Sequence, residues 1–381
     1  HKFFTIKYIY KTSHNKVEER ENIDIIMYWK RMEKRERDKR MNHNKKKQKI
    51  SHQIQINNNN NNNNNNPTAM LLATTKILSK ATDEVLKTAI GTHSGTFHCD
   101  EALACGMLKL LPQFKDVPIV RTRNQSLLEK CDIVVDVGGI YDHKAKRYDH
   151  HQRTFTTVYE EIGHKTKLSS AGLVYKHYGR DVIKQVCSEV DVSEEDLEII
   201  YKKVYKNFVE EIDGVDNGVE CFNGDDRNYN VTTNLSARVG RLNPSWHEPS
   251  DDDTRNELFR SAVVLTRTEF VERVHGYLYN WLPAKEIVTK AVTECVNKQE
   301  RILIFDDYCP WKSHMFDCEE KLGKEGEVLY VLYPEDGSTR ESGKWRIQAA
   351  PVDTESFAQR KSLPEPWRGL RDDALSKESG I

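Results

Sequence analysis

The sequence predicts an α/β protein: a largely parallel-sheet domain followed by a smaller α+β domain. Two observations carry this. Between residues 85 and 212, short apolar runs bounded by Gly and Pro alternate with stretches of helical periodicity, the pattern of strand–helix–strand units. Beyond residue 251 the order changes to two long helical stretches and then three strand-like runs, which suits a separate α+β unit.

Residues 85–90 read as a strand running into His93. Residues 100–111 read as a helix with Leu103, Met107, Leu110 and Leu111 on one face, ended by Pro112. Residues 119–122 form a second expected strand, and 133–137 a buried one that Gly138-Gly139 turns. Residues 169–177 read as a short helix closed by Gly179. Residues 194–212 read as a long amphipathic helix, with Leu197, Ile200, Tyr201, Val204, Phe208 and Ile212 at helical spacing, stopping at Asp213-Gly214. Residues 254–274 and 284–297 are expected helices; 301–305, 328–333 and 345–350 are expected strands.

A chain of 381 residues accommodates two domains, here expected at 85–250 and 251–381 behind a tail at 1–70. The tail carries 16 Lys or Arg against 7 Asp or Glu, so a whole-chain charge of −1 leaves the body at −10. Such a body does not suit a protein that holds nucleic acid by general electrostatics; it suits one that gathers carboxylates around cations. Ten asparagines at 57–66 follow a basic run, and a polar homopolymer buries too little apolar surface to offset its ordering entropy, so the tail is expected to be disordered. The basic run reads as a solvated tail or a nucleic-acid or nuclear address. The first residue is His1 and not Met, so the native start is expected elsewhere; with Met70 as the true start, residues 70–80, hydroxyl-rich and free of acids, read as the opening of a mitochondrial presequence. The eight cysteines include no C-x-x-C pair, which reads as reduced thiols in an intracellular compartment. No apolar stretch reaches the roughly 18 residues of a membrane span.

Chemistry concentrates in residues 91–153. His93, His98 and Asp100 lie past the first expected strand, Asp136 at the end of a later one, and Asp149-His150-His151 close behind. Imidazole nitrogen and carboxylate oxygen are the ligands that hold paired divalent ions, and in open α/β sheets ligands gather beyond the carboxyl ends of strands. Three consecutive residues cannot all ligate one ion from an extended strand, so 149–151 implies a loop or divided roles. Asp213, with Asp216 close by, is a further candidate. Cys99 reads as a small buried thiol, Asp142-His143 as a polar loop, and Asp225-Asp226 and Asp251-Asp252-Asp253 as solvated acidic loops.

The H-x-x-x-x-H-x-D segment at 93–100, the strand ending in Asp136, and Asp149-His150-His151 resemble motifs I, II and III of the DHH phosphoesterases. A closer resemblance, through segments 91–101, 148–155 and 363–372, is to the melanocyte proliferating gene product family. The resemblance implies a DHH-like metal-binding domain and a smaller domain that closes over substrate. It implies His93 and His98 on one ion, Asp100, His150 and Asp213 on the other, Asp136 bridging, His151 on the scissile phosphate and Asp149 supporting or activating. Most superfamily members carry Asp where His98 stands; Mn²⁺ is favoured for the mixed set, with Zn²⁺ or Mg²⁺ as alternatives. Substrate contacts are expected from Arg340, Lys344, Arg346, Arg360 and Lys361. The implied activity is that of a 3′–5′ RNA exonuclease of nucleus and mitochondrion, without a membrane partner. A DHH-type pyrophosphatase or small-nucleotide phosphodiesterase is the enzymatic alternative, and a metal-bound regulatory protein the non-catalytic one. Relatives are expected to continue past residue 381 with a Gly-rich segment.

Overall fold

The computed structural model describes residues 75–222, 229–247, 250–335 and 345–380. The basic run, the asparagine tract, Asp225-Asp226, Arg340 and Lys344 lie outside the described residues. Contacts divide the chain into two compact units, one ending at Leu282 and the other beginning at Pro283.

In the first unit the strands are β1 (Ile77–Leu78), β2 (Ile90–Thr92), β3 (Ile119–Arg121), β4 (Ile133–Val135), β5 (Tyr141–Asp142) and β6 (Arg147–Tyr148). The helices are α1 (Asp83–Leu86), α2 (Cys99–Leu108), α3 (Gln125–Leu128), α4 (Ser170–Val186), α5 (Glu194–Val204), α6 (Glu210–Asp216), α7 (Leu235–Gly240) and α8 (Asp252–His275). The sheet order is β1-β3-β2-β4-β6-β5. All neighbours are parallel except the β5–β6 hairpin. Ile90, Ile119, Ile133 and Val135 are fully buried, as expected of parallel strands covered on both faces. The chain leaves β2 toward β3 and leaves β4 toward β6. The carboxyl ends of β2 and β4 therefore flank a point where strand order reverses, the crevice in which such sheets bind ligands.

Helix α2 is buried along its whole length and packs on α4 and α8. The α2–α8 packing explains why α8, grouped by the sequence reading with the smaller domain, belongs to the first unit. At Gly106 an added Cβ would meet the Arg267 Cβ at 3.1 Å, so glycine permits the close approach of the two helices. Asp251 is not part of a loose acidic loop: its carboxylate accepts from the Thr254 N–H and caps α8, and Asp252 and Asp253 form the first turn.

Four other expectations move. Residues 83–86 form a helical turn, so the first core strand starts only at Ile90. Ile77 and Leu78, read as part of a presequence, pair with Ile119 and Val120 at the sheet edge. Helix α4 runs through Gly179, which lies against the Tyr175 and Tyr201 rings and serves packing rather than termination. The helix from Glu194 continues past Gly214 through a π turn at Tyr205–Val209 and ends at Asp216.

The second unit contains α9 (Ala284–Asn297), β7 (Ile302–Ile304), α10 (Lys312–Leu322), β8 (Tyr330–Pro334), β9 (Trp345–Ala349) and α11 (Asp372–Ser379). Its sheet is β7-β8-β9, parallel then antiparallel, over a core of Val288, Val292, Leu303, Met315 and Val331. Among the described residues no helix is long and apolar enough to cross a membrane.

Candidate metal centre

His93 directly follows β2, and Asp136 directly follows β4, so sheet topology brings the two to the same edge. Asp136 adopts φ 59, the left-handed region that costs a non-glycine residue ~1–2 kcal/mol. Its N–H is held by the Tyr148 carbonyl at 3.0 Å. The carboxylate lies between two imidazoles: Oδ2 is 3.4 Å from His93 Nε2 and Oδ1 is 3.2 Å from His150 Nε2. Asp136 Oδ1 and His150 Nε2 are buried and within reach, yet out of line for a hydrogen bond. Both atoms are thus left without a hydrogen bond and available to a common third partner.

His150 Nε2 also lies 3.1 Å from Asp216 Oδ2 and 3.8 Å from Asp100 Oδ2. Asp100 enters at the first turn of α2, where the Ser170 hydroxyl donates to Oδ2 at 2.8 Å, while Oδ1 is buried without a hydrogen-bond partner. One oxygen is thus fixed and the other left bare. Glu101, which the sequence reading did not single out, accepts from the His98 N–H at 2.8 Å and places Oε1 3.0 Å from His93 Nε2. Its signal was the H-x-x-E spacing at a helix start, the position from which a glutamate reaches back to the N-cap backbone.

Among the described residues, ligand-type atoms fall into three overlapping groups, each mutually within 4.8 Å: His93, His98, Glu101 and Asp136; Asp136, His150 and His151; His98, Asp100 and Asp216. Asp136 and His98 each occur in two of them. The charge pattern agrees. Burial opposes a charged His93, but Asp136 and Glu101 outweigh it and raise the ring to about 10. Burial likewise opposes charge on His150, and Asp136 and Asp216 raise it to about 9. Asp100 is pushed well above the carboxylate range by burial and by the charges of Asp136, Asp216 and Glu101. Burial pushes Asp136 up, but His150 and His93 hold it below that range. Carboxylates this crowded need positive charge among them, and the N/O donor set with its bare buried oxygens fits divalent cations.

His151 is different in kind. Its side chain is 61 % exposed and its Nδ1 lies 2.7 Å from Asp149 Oδ1. Asp149 Oδ2 accepts from the Gly139 N–H at 2.5 Å. Asp149 therefore serves as the carboxylate that sets the tautomer and direction of a ring open to solvent.

Asp213 is placed elsewhere. Its Oδ1 accepts from the Ser169 N–H, the Ser169 hydroxyl and the Gly172 N–H at the start of α4, and its Oδ2 from the Tyr205 hydroxyl. With both oxygens so engaged it is a helix-capping carboxylate, and burial, partly offset by these donors, raises it to about 7. The acidic group that α6 brings to His150 is Asp216.

The expected substrate cations also divide. Arg360 is not free: its guanidinium makes two bonds to buried Glu319, at 2.9 and 2.7 Å, and one to the Val328 carbonyl. Arg346 is exposed on β9, 3.6 Å from Glu335, and Lys361 is half-buried. Both belong to the second unit. Within the first unit, the metal-type residues open onto a cavity of about 800 Å³ lined by His98, Asp100, His150, His151, Lys167 and Asp216, with α7 along one side.

A family model described as "Uncharacterised protein family (UPF0160)" and labelled MYG1 exonuclease matches residues 89–381. The MYG1 exonuclease of Mus musculus is 46 % identical over 301 residues, covering 77 % of this chain and 77 % of that protein. The MYG1 protein of Caenorhabditis elegans is 50 % identical over 301 residues, covering 77 % and 86 %, and that of Dictyostelium discoideum 44 % identical over 295 residues, covering 77 % and 87 %. No solved structure matches. With the model spanning both compact units and relatives matching at such identity, the chain belongs to the MYG1 exonuclease family (UPF0160).

Proposed function

We propose that the chain is a metal-dependent phosphodiester hydrolase acting as a 3′–5′ RNA exonuclease. The observation that carries the hydrolase reading is Asp136, whose two oxygens lie separately against His93 and His150, the latter lining a large cavity. A carboxylate so shared is suited to bridge two cations. The exonuclease reading draws on relatives named MYG1 exonuclease; the RNA preference and polarity rest on the motif resemblance.

His93, His98, Glu101 and Asp136 would hold one divalent ion, and Asp136, Asp100, His150 and Asp216 the other. When bound, such ions lower the pKa of a coordinated water toward neutrality and neutralise phosphate oxygens; Mn²⁺ is the ion of choice for this donor set. His151, open to the cavity and raised by its bond to Asp149, would donate a hydrogen bond from a ring N–H to the scissile phosphate. Ser170 fixes Asp100 through Oδ2 and leaves Oδ1 without a hydrogen bond and available to an ion. Lys167 supplies a positive charge at the cavity wall for an adjacent phosphate.

The test is hydrolysis of RNA labelled at its 5′ end, beside matched DNA, pyrophosphate and dinucleotides, with Mn²⁺ or a chelator. A ladder shortening from the 3′ end, dependent on metal, is expected. Preferential cleavage of pyrophosphate or dinucleotides would overturn the substrate assignment, and no turnover with any divalent ion would overturn the hydrolase.

A further inference from the structure

We propose that Asn243 is a positioning residue that sets His98 in place and ties the α7 wall of the cavity to the metal-binding loop. This rests on the reading of His98 as a ligand. Asn243 lies 146 residues from Phe97 in the chain, yet its Oδ1 accepts from the Phe97 N–H at 3.0 Å and its Nδ2 donates to the Phe97 carbonyl at 2.8 Å. A carboxamide presents an acceptor and a donor side by side, so one side chain satisfies both backbone groups of a single residue, as a neighbouring strand would. Phe97 is fully buried, and stranding its polar groups away from water is costly.

Phe97 is the residue before His98, and its ring is itself fixed, 5.4 Å from Phe259 and 5.5 Å from the Arg121 guanidinium. Arg121 in turn donates to the Gly95 carbonyl at 2.7 Å. On the far side of His98, Glu101 takes the His98 N–H. The exposed His98 is therefore held through its backbone from both directions, and Asn243 supplies the backbone hydrogen bonds that reach Phe97 from the α7 side. Asn243 follows α7 by three residues, and α7 packs on α2 and lines the cavity. A displacement of α7 by an occupant of the cavity would thus be transmitted to His98.

Groups that orient a metal ligand without touching the metal typically contribute 10–100-fold in metal affinity. The experiment titrates the full chain with Mn²⁺ alone, comparing wild type, Asn243→Ala, His98→Ala and the double variant, with hydrogen exchange of residues 94–98 followed in the metal-free protein. Asn243→Ala is expected to weaken Mn²⁺ binding 10–100-fold and speed exchange at 97 and 98. The double variant should bind no more weakly than His98→Ala, because both changes act through one ring. Asn243→Asp keeps the acceptor and loses the donor; it should fall between wild type and Asn243→Ala, and it answers the same question if the alanine variant does not fold. Normal affinity in the Asn243 variants beside a weakened His98→Ala, or additive losses in the double variant, would overturn the clamp alone. An unweakened His98→Ala would overturn the ligand assignment, and the proposal with it.

Discussion

Asp213 and Asp216 stand three residues apart on one helix with opposite assignments, and substituting each to Asn separates them. Asp213 receives four hydrogen bonds and is raised to about 7 by burial. Its ordinary value is about 3.9 in an unfolded chain. Between about pH 4 and pH 7 the folded state therefore holds a proton that the unfolded state has released, and stability falls as pH rises through that window. At about 1.4 kcal/mol per unit, this group alone removes on the order of 4 kcal/mol across it. Asp213→Asn retains an oxygen for Ser169 and Gly172 and turns its NH₂ toward the Tyr205 hydroxyl, which can accept. The substitution should flatten the dependence, so that the variant gains on wild type between pH 5 and pH 7.5 in urea unfolding with chelator present. Asp216 Oδ2 instead lies 3.1 Å from His150 Nε2. Asp216→Asn should lower Mn²⁺ affinity by more than the 10–100-fold typical of supporting groups, while Asp213→Asn should keep it within a few-fold. Calorimetric titration measures both. An Asp213→Asn protein stripped of metal beside an Asp216→Asn protein that binds normally would refute the placement, and an Asp213→Asn pH slope as steep as wild type would refute the buried-carboxylate argument.

Three other outcomes are expected. Asp136→Asn should lose both Mn²⁺ equivalents and all hydrolysis while keeping its circular dichroism spectrum, since an amide cannot offset two cations; near-normal turnover at saturating metal would contradict it. His151→Ala should keep its metal by elemental analysis but turn over roughly a hundredfold more slowly, consistent with ~2–4 kcal/mol of charge stabilisation, whereas His150→Ala should lose metal; exchanged phenotypes would shift the two roles by one residue. Arg360→Ala leaves Glu319 buried and unpaired, which should cost about 3–5 kcal/mol in thermal or urea unfolding of the full chain, against little for Arg346→Ala on the surface; equal effects would restore Arg360 to the substrate surface.

How far the sequence reached the site can be followed residue by residue. His93, Asp100, Asp136 and His150 were legible because each sits at or beside the end of an apolar run, and strand ends are where an open parallel sheet gathers ligands. The crossover order that places β2 beside β4 was not legible from those runs, yet it is what makes His93 and His150 share Asp136. Short segments hid the rest. Two-residue strands such as β5 and β6 leave no periodicity to detect, and Arg360 on the surface of a sequence plot looks like any other cation until Glu319 is found beneath it. The choice between Asp213 and Asp216, open in the sequence, turns on where the helix ends. Gly214 has the look of a glycine that ends a helix, which puts Asp213 at the terminus and Asp216 beyond it. In the structure the terminating glycine is Gly218, in the left-handed conformation at φ 67 just after the Asn217 cap, as helix ends favour. Upstream of both carboxylates lies the π turn at Tyr205–Val209, which shifts Asp213 and Asp216 alike relative to the residues before it, since each residue of an α-helix turns the face by about 100°. The same turn carries Tyr205, whose hydroxyl binds Asp213. Within the regular helix α6 the three residues from Asp213 to Asp216 turn the face by about 60° net, enough to leave the first carboxylate on α4 and bring the second to His150. The acid that holds α4 and the acid that faces His150 are thus separated by the ordinary period of one helix, and a residue pattern read without the helix end cannot tell which is which.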